Sequence, residues 1–339
     1  MQMRDALGAL MRRENLSFAE THEVMRQIMT GEASDAQIAA FLMGMAMKGE
    51  TPEEISAAAQ VMRELMKPVH LDAENVVDIV GTGGDGANLF NVSTAASFVV
   101  AAAGGRVAKH GNRGVSSSSG SADLFAVAGI HLDLDAGQVA RCIEQVGVGF
   151  MFAPNHHPAM RYAVAPRREM GVRTLFNILG PLTNPAGAPN QVLGVYSPAL
   201  VPLMAEVLRR LGSRHVLVVH AEDGLDEISP AAPTRVAELQ EGEITEYVIT
   251  PEALGIERQP LDALKVGSAE ESLRLVEQAL VGEGPGADIV ALNAGAALYA
   301  SGIADSLKEG VALAQDAQAS KLPLEKLKEL ANFTRVFLQ

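Results

Sequence analysis

Residues 1–70 carry the apolar spacing of helices and contain no strand-like run. Residues 34–37 (Ser-Asp-Ala-Gln) open a helix that ends near Gly49. Residues 51–54 (Thr-Pro-Glu-Glu) open the next helix, with a capping-box pattern and a proline in the first turn, and Pro68 closes it. The chain is therefore expected to begin with a purely helical segment.

From Val76 onward, short apolar runs alternate with helical periods. This alternation predicts a mostly parallel sheet flanked by helices, which is an α/β fold. The strand candidates are 76–80, 105–109, 147–152, 191–196, 215–220 and 287–292, and helix candidates between them include 136–146, 201–211 and 268–281. Residues 235–239 and 244–249 predict a hairpin outside the alternation, and 154–185 break it with a helix-like stretch and a Pro/Asn-rich loop.

A glycine-rich segment follows the first strand candidate and precedes a predicted helix over 93–101. Its four glycines are Gly81, Gly83, Gly84 and Gly86. Glycine permits a positive φ, and successive exposed N–H groups form a concave site for an anion. A phosphate there would also meet the helix N-terminus. The plain alternative is a tight turn with an ordinary helix cap. The spacing matches neither a Walker loop nor the Gly-x-Gly-x-x-Gly pattern.

A second cluster of small and basic residues spans 109–123, after the next strand candidate. It holds Lys109, His110, Arg113 and five serines. Hydroxyls and a lysine at a strand end suit a second phosphate, whereas the alternative is a flexible Ser/Gly linker. Two anion sites on neighbouring strand ends predict a ligand with a phosphate group at each end.

An acidic segment, residues 222–227 (Glu-Asp-Gly-Leu-Asp-Glu), follows the strand candidate 215–220. Mg²⁺ prefers oxygen ligands and often binds through one or two carboxylates together with substrate phosphate. The alternative is a solvated acidic turn. The phosphate sites upstream favour the metal.

Composition narrows the function classes. The 339 residues are 48% apolar and carry a net charge of −14, which disfavours nucleic acid as the main partner. The single cysteine, Cys142, lies in a helix-like run and is expected to be a buried structural thiol, as suits a reducing compartment. No signal-peptide pattern or membrane-length apolar span occurs, so we expect a cytoplasmic enzyme without a membrane partner.

Seven motifs together carry a resemblance that covers nearly the whole chain. They lie, in order, at 81–85, 91–94, 109–113, 156–158, 167–169, 177–185 and 223–227. In sequence and spacing they resemble the anthranilate phosphoribosyltransferase family. This resemblance implies a fold of the nucleoside phosphorylase/phosphoribosyltransferase type, with a helical domain (1–70, completed by part of 154–185) and an α/β domain (71–339).

The resemblance also implies the reaction and the partners. 5-Phosphoribosyl 1-pyrophosphate (PRPP) would donate its phosphoribosyl group to the amine of anthranilate, with Mg²⁺ as cofactor, in tryptophan biosynthesis. A homodimer through the N-terminal helices is implied as well.

Site residues are carried over from the same motifs. PRPP would be bound by Gly81, Gly84, Asp85, Asn91, Val92, Ser93, Thr94, Lys109, His110, Gly111, Asn112, Arg113, Gly114, Val115, Ser116, Ser117 and Ser121. Anthranilate would be bound by Gly81, Asn112 and Arg167, and Mg²⁺ by Ser93, Asp226 and Glu227.

Some assignments stay open at this point. Arg168 competes with Arg167 for the acceptor, although on a helix it points about 100° away; an Arg pair bonded to Glu169 on a solvated face is the plain alternative. No residue is assigned as acid or base, since His110 and His157 could line the acceptor channel or be structural. Leu89 departs from the family, which commonly has Thr or Ser there.

Two other functions remain to be considered. A pyrimidine nucleoside phosphorylase of related fold would share the glycine-rich loop, but its second signature differs from residues 109–121. A non-catalytic nucleic-acid-binding relative would need a basic surface, which this acidic chain does not predict.

Overall fold

The computed structural model describes residues 1–114 and 118–338. The PRPP contacts predicted for Val115, Ser116 and Ser117 lie outside the described residues. Seven strands form one sheet in the order β3-β2-β1-β4-β5-β6-β7. They are β1 (Val76–Gly81), β2 (Arg106–Gly111), β3 (Val148–Phe152), β4 (Asn190–Gly194), β5 (His215–Ala221), β6 (Thr234–Gln240) and β7 (Glu243–Ile249).

Strands β1 to β5 are parallel, and β6 and β7 add an antiparallel hairpin to the edge. The α/β prediction is therefore confirmed, and so is the hairpin, although it extends the same sheet instead of standing outside it. The central strands are buried on both faces, which explains their unbroken apolar runs. Val192 joins the core on one face, while its neighbour Leu193 joins the core on the other.

Helices cover both faces of the sheet and form the N-terminal segment. They are α1 (Met3–Met11), α2 (Phe18–Thr30), α3 (Asp35–Lys48), α4 (Pro52–Leu65), α5 (Val92–Ala102), α6 (Ser121–Val127), α7 (Ala136–Val146), α8 (Ala153–His156), α9 (Arg161–Met170), α10 (Phe176–Leu179), α11 (Leu200–Arg210), α12 (Ala269–Ala279), α13 (Ala287–Ala300), α14 (Leu307–Ala319) and α15 (Leu322–Arg335). Within the described part of the chain, no helix is long and apolar enough to cross a bilayer.

The strand predicted at 287–292 is wrong, because these residues begin helix α13. Nearly every residue of α13 is buried, so its sequence lacks the polar face that marks a helix. Gly295 packs directly on Gly310 of α14, where an added Cβ would overlap the backbone. A helix enclosed on all sides and a central strand show the same apolar pattern.

The N-terminal helices begin at the capping residues that the sequence indicates. Ser34 and Thr51 complete capping boxes at the starts of α3 and α4. The connection between these helices is fixed by Glu54, which is 0% exposed, pairs with Lys48 Nζ at 2.8 Å and accepts the Leu16 N–H at 2.8 Å. This buried carboxylate ties three parts of the helical segment together.

Segment 153–182 folds back on the N-terminal helices. Helix α9 packs against α2 and α3, and Ala163, Leu175 and Phe176 share one core with Met25 and Phe41. This segment connects β3 to β4 in the sequence. In the sheet, these two strands lie on opposite sides of β1.

The lone thiol behaves as predicted. Cys142 lies in α7 and is 0% exposed, and burial raises its pKa to about 12. It is therefore a structural residue in the core beneath β2 and β3.

Candidate active site

The glycine-rich loop leaves the sheet where the chain changes direction. From β1 the chain builds β2 and β3 on one side and then returns to β4 on the other. The carboxyl ends of β1 and β4 flank this switch point, where open α/β sheets bind ligands. Gly81 ends β1 beside Gly194, which ends β4.

The loop presents free hydrogen-bond donors. Gly83, Gly84 and Gly86 have φ values of 65°, 80° and 77°, which a side chain would strain. The backbone N–H groups of Gly84, Asp85 and Gly86 donate to no other described residue. Three consecutive donors without a described acceptor at a strand end are the arrangement expected of an anion nest, as the sequence predicts.

Asp226 lies directly beneath this loop. Its Oδ2 accepts the Gly83 N–H at 2.7 Å, and a Cβ on Gly81 would overlap the same oxygen. A Cβ on Gly194 would overlap the Asp226 carbonyl. Burial, then the neighbouring Asp85 carboxylate, raises the Asp226 pKa to about 7. The two glycines thus make the space that this carboxylate fills.

Glu227 reaches the start of helix α5. The Ser93 N–H donates to its carboxylate, whose pKa is nevertheless raised well above its ordinary value by burial and by the nearby Asp226. The structure therefore brings together the three predicted metal residues, Ser93, Asp226 and Glu227. No cluster of three or more His, Cys, Asp and Glu side chains among the described residues forms a complete metal site on its own.

Lys109 is buried between the two loops, with 2% exposure. Its Nζ donates to the Ile79 carbonyl at 2.6 Å and to Ser93 Oγ at 3.2 Å. Burial lowers the Lys109 pKa, while Asp78 and Glu227 raise it. The ammonium therefore lies beside Ser93 and Glu227 at the first anion site, and not at the second site where the sequence pattern places it.

The start of helix α5 is tied to the second loop. Asn91 Oδ1 accepts from Ser119 Oγ at 2.9 Å and from Ser272 Oγ at 2.7 Å, so its side chain is engaged by protein. Val92 is buried, and Thr94 Oγ1 is buried without a hydrogen-bond partner in the described part of the chain. The Thr94 hydroxyl is thus a buried polar group whose hydrogen-bonding capacity no described residue uses.

Asp123 closes the second loop. Its Oδ2 accepts from the N–H groups of Gly114 and Gly120 at 2.8 and 3.0 Å, and its Oδ1 pairs with Arg113 at 3.0 Å. At the other end, Ser121 Oγ donates to the Asn112 carbonyl at 3.4 Å, and a Cβ on Gly111 would overlap this hydroxyl. Asn112 is exposed, and its Oδ1 accepts the Arg113 N–H at 2.8 Å.

The two histidines are buried as a pair, with ring centroids 5.0 Å apart. Burial lowers the His110 pKa well below its ordinary value, and it lowers the His157 pKa to about 4. Both rings are therefore neutral at neutral pH. This supports a structural role and gives neither ring the properties of a catalytic acid at neutral pH.

Arg167 is half-buried on α9, and its guanidinium lies 5.3 Å from the Phe176 ring centroid. It forms no hydrogen bond or ion pair with another described residue, and burial lowers its pKa. Arg168 is exposed, and the ion pair with Glu169 considered from the sequence does not form between these described residues. Of the two arginines, Arg167 is therefore the one with a partly buried guanidinium that has no hydrogen-bond or ion-pair partner among the described residues.

Two residues at the site escaped the sequence analysis. Asp78, 1% exposed in β1, accepts from Asn184 Nδ2 at 2.8 Å and braces the loop before β4. A carboxylate within an apolar strand was a usable signal for it. Arg173 lies over the glycine-rich loop and donates to the Gly84 carbonyl, and nothing in its local sequence marks it.

Comparisons with known proteins identify the family. The model of the glycosyl transferase family helical bundle domain matches residues 4–66, and that of the family's a/b domain matches residues 73–321. An anthranilate phosphoribosyltransferase from Chromohalobacter salexigens is 78% identical, over 99% of this chain and 98% of its own.

Solved structures of the same family have a similar fold. The crystal structure of anthranilate phosphoribosyltransferase from Thermus thermophilus is 48% identical with a TM-score of 0.92, covering 98% of this chain and 99% of its own. The Saccharomyces cerevisiae enzyme in complex with PRPP and Mg is 26% identical with a TM-score of 0.90, covering 98% of each chain. The chain belongs to this glycosyl transferase family and, within it, to the anthranilate phosphoribosyltransferases.

Proposed function

We propose that this chain transfers the 5-phosphoribosyl group of PRPP to the amine of anthranilate, in tryptophan biosynthesis. The products are N-(5-phosphoribosyl)anthranilate and pyrophosphate. The observation that carries the proposal is the row of three N–H groups at Gly84, Asp85 and Gly86 that no described residue accepts, at the switch point of the sheet. These donors suit the pyrophosphate end of PRPP.

The second loop binds the other end of the donor. Asn112, Arg113, Gly114 and Ser121 lie on a turn that Asp123 closes, at the end of the neighbouring strand β2. This position suits the 5-phosphate and the ribose. Lys109 lies between the two loops and contributes positive charge to the pyrophosphate side.

Mg²⁺ fits the acidic pair. Asp226 and Glu227 are hard oxygen donors, and the pKa of each is raised first by burial and then by the carboxylates close by. A divalent cation would relieve this repulsion, with Ser93 Oγ as a further oxygen ligand and substrate oxygens completing the shell. When bound, the ion would neutralise charge on the leaving pyrophosphate.

The acceptor is oriented by Arg167. Its free guanidinium suits the carboxylate of anthranilate through paired hydrogen bonds, with Asn112 and Gly81 as the further contacts. The bond from the ribose to pyrophosphate breaks, the amine nitrogen bonds to the same carbon, and the amine proton leaves to water. Positioning and electrostatics account for catalysis, since an unprotonated aromatic amine needs no activated nucleophile.

We further propose that the protein is a homodimer that buries the outer face of the N-terminal helices. Met11 on α1 is 87% exposed and Met47 on α3 is 68% exposed. Unbranched, adaptable methionines suit a protein interface. Light scattering should give twice the chain mass, and the double variant Met11→Glu, Met47→Glu should give the monomer mass.

The test of function is the loss of anthranilate fluorescence when the protein is mixed with PRPP and Mg²⁺. Turnover should require the protein, both substrates and the metal. Phosphorolysis of thymidine or uridine by the same preparation, without turnover of anthranilate, would overturn the proposal. Calorimetric binding of PRPP without turnover would retain the donor site and reject the acceptor.

A further inference from the structure

We propose that Arg173 is a positioning residue for the donor, which holds the glycine-rich loop in the conformation that receives pyrophosphate. Its guanidinium lies 4.3 Å from the Tyr196 ring centroid and donates a hydrogen bond to the Gly84 carbonyl. A Cβ on Gly84 would lie 3.1 Å from Arg173 Nη2, so the loop and the guanidinium are in direct contact. This inference rests on the proposed function.

Tyr196 gives the guanidinium a fixed base. The residue follows β4, and its backbone N–H donates to Thr82 Oγ1 at 3.1 Å. Thr82 in turn donates its own N–H to the Gly194 carbonyl at 2.9 Å. The ring that Arg173 stacks on is therefore anchored to the first residue of the loop and to the end of β4.

The contact determines which way one donor of the nest points. In a trans peptide the C=O of residue 84 and the N–H of residue 85 point in opposite directions. Since the Gly84 carbonyl faces Arg173, the Asp85 N–H points away from it. Because Gly84 has no Cβ and a φ of 80°, its backbone can adopt more conformations than another residue could at this position. Arg173 thus selects one orientation of this peptide plane.

Few other contacts hold this part of the loop. The Gly83 N–H is held by Asp226, and the Ala87 N–H is held by the side chain of Asp85 within the loop itself. Between them, the Arg173 bond to Gly84 is the hydrogen bond that a described residue outside the loop makes to the loop backbone, while the Asp85 side chain lies against Asp226. Without this bond, the glycines would be less ordered in the free protein. Donor binding would then have to order them, which would weaken the affinity for PRPP.

The charge of Arg173 acts in the same direction. The guanidinium forms no ion pair with a described carboxylate. Burial raises the pKa of the Tyr196 phenol, and the positive charge of Arg173 opposes that rise. An unneutralised cation beside three N–H donors attracts an anionic ligand. Stacking and charge therefore both favour pyrophosphate at this loop.

The experiment measures donor binding and turnover for Arg173→Ala. We expect the Kd and KM for PRPP to rise about three- to tenfold, because a stacked, charge-assisted contact is lost. The KM for anthranilate and kcat should stay within about twofold, since binding is lost equally from the ground and transition states. Arg173→Lys keeps the charge without the planar stack and should restore donor binding only in part.

Arg161→Ala is the matched control. Arg161 is also exposed, stacks on Tyr162 at 4.7 Å and bonds to its hydroxyl, but it does not contact the loop. Unchanged PRPP binding in Arg173→Ala would overturn the proposal, and so would an equal rise in the Arg161→Ala control. Because Kd for PRPP is measured directly, this test remains valid if the wild type binds the donor without using anthranilate, which would reject the proposed acceptor alone.

Discussion

The carboxylate of Asp226 accepts the backbone N–H of Gly83 at 2.7 Å, although the two residues lie 143 positions apart in the sequence. The bond joins the segment after β5 to the loop after β1, across the intervening strand β4. Neither strand β1 nor β4 could end in a residue with a side chain without displacing Asp226, since both Gly81 and Gly194 make room for it. The acidic site and the anion nest are therefore one structural unit.

Gly81→Ala should separate activity from folding. The new Cβ would overlap Asp226 Oδ2, so the carboxylate must move and the Gly83 hydrogen bond must break. We expect kcat/KM for PRPP to fall at least roughly tenfold, because a misplaced electrostatic group loses a large part of its effect. Gly8→Ala is the control, since its Cβ meets only Arg12 at 3.7 Å. Similar steady-state kinetics for the two variants would contradict the role given to Gly81.

Asp226→Asn should lower activity without lowering stability. Burial already raises the Asp226 pKa to about 7, so the ionised carboxylate destabilises the free protein, and a neutral amide removes that cost. We expect kcat at saturating Mg²⁺ to fall by a factor on the order of 10², while Tm without Mg²⁺ stays equal or rises. The exposed Glu222 provides the control variant Glu222→Gln. A fall in Tm with full activity would contradict a metal-binding role.

The parts of this fold that sequence predicts are those determined by local physics. Capping residues mark the starts of α3 and α4, and the turn of glycines after an apolar run marks the end of β1. Helix α13 carries the same apolar signal as a strand, since a helix buried all round has no polar face. What decides its structure is packing against α5 and α14, which no local pattern contains.

The site residues also differ in whether the sequence predicts them. Gly83, Gly84 and Gly86 could be predicted, because only glycine adopts their positive φ at little cost. That Ser93 and Glu227 lie close together could be predicted only from the family resemblance, because the two residues are distant in the sequence and the tertiary fold brings them together. The role of Arg173 could not be predicted from the sequence, because it depends on the Tyr196 ring and the Gly84 carbonyl, which lie on distant segments.

Arg167→Ala should weaken the acceptor alone. The guanidinium is half-buried and has no protein hydrogen bond or ion pair among the described residues, so the variant loses no internal bond of that kind. We expect the KM for anthranilate to rise about tenfold or more, as for a lost bidentate charge pair, with the PRPP Kd unchanged. The exposed neighbour supplies the control, Arg168→Ala. If Arg168→Ala raised this KM and Arg167→Ala did not, the assignment would be reversed.

Leu89→Thr tests the departure from the family. Leu89 is partly buried and packs against the core, so a hydroxyl in its place would weaken this packing. Its backbone also forms an isolated antiparallel β-bridge with Lys265, which the substitution leaves in place. We expect the Kd for PRPP to fall about two- to fivefold through one new hydrogen bond, with a small loss of Tm. Calorimetry with PRPP and Mg²⁺ measures the first effect. An unchanged Kd would show that the position does not contact the donor in this protein.

The buried histidine pair should make stability depend on pH. Burial lowers the His157 pKa from 6.5 to about 4, so the folded chain keeps the ring neutral where the unfolded chain binds a proton. The stability due to the neutral ring is complete above 6.5 and is lost as the pH falls through the window from 6.5 to about 4. By linkage, this one ring should cost roughly 2 kcal/mol of unfolding free energy between about pH 7.5 and about pH 5.

Carboxylates with raised pKa values change stability in the opposite sense over part of this window. Burial raises the pKa of Asp78 to about 6, so its contribution is lost as the pH rises, not as it falls. The comparison must therefore be between variants at matched pH, by urea unfolding. Between about pH 7.5 and about pH 5, the unfolding free energy of His157→Gln should fall by roughly 2 kcal/mol less than that of wild type. His70→Gln, which changes an exposed ring, should behave as wild type does. Parallel curves for wild type and His157→Gln would show that this ring is protonated equally in the folded and unfolded chains.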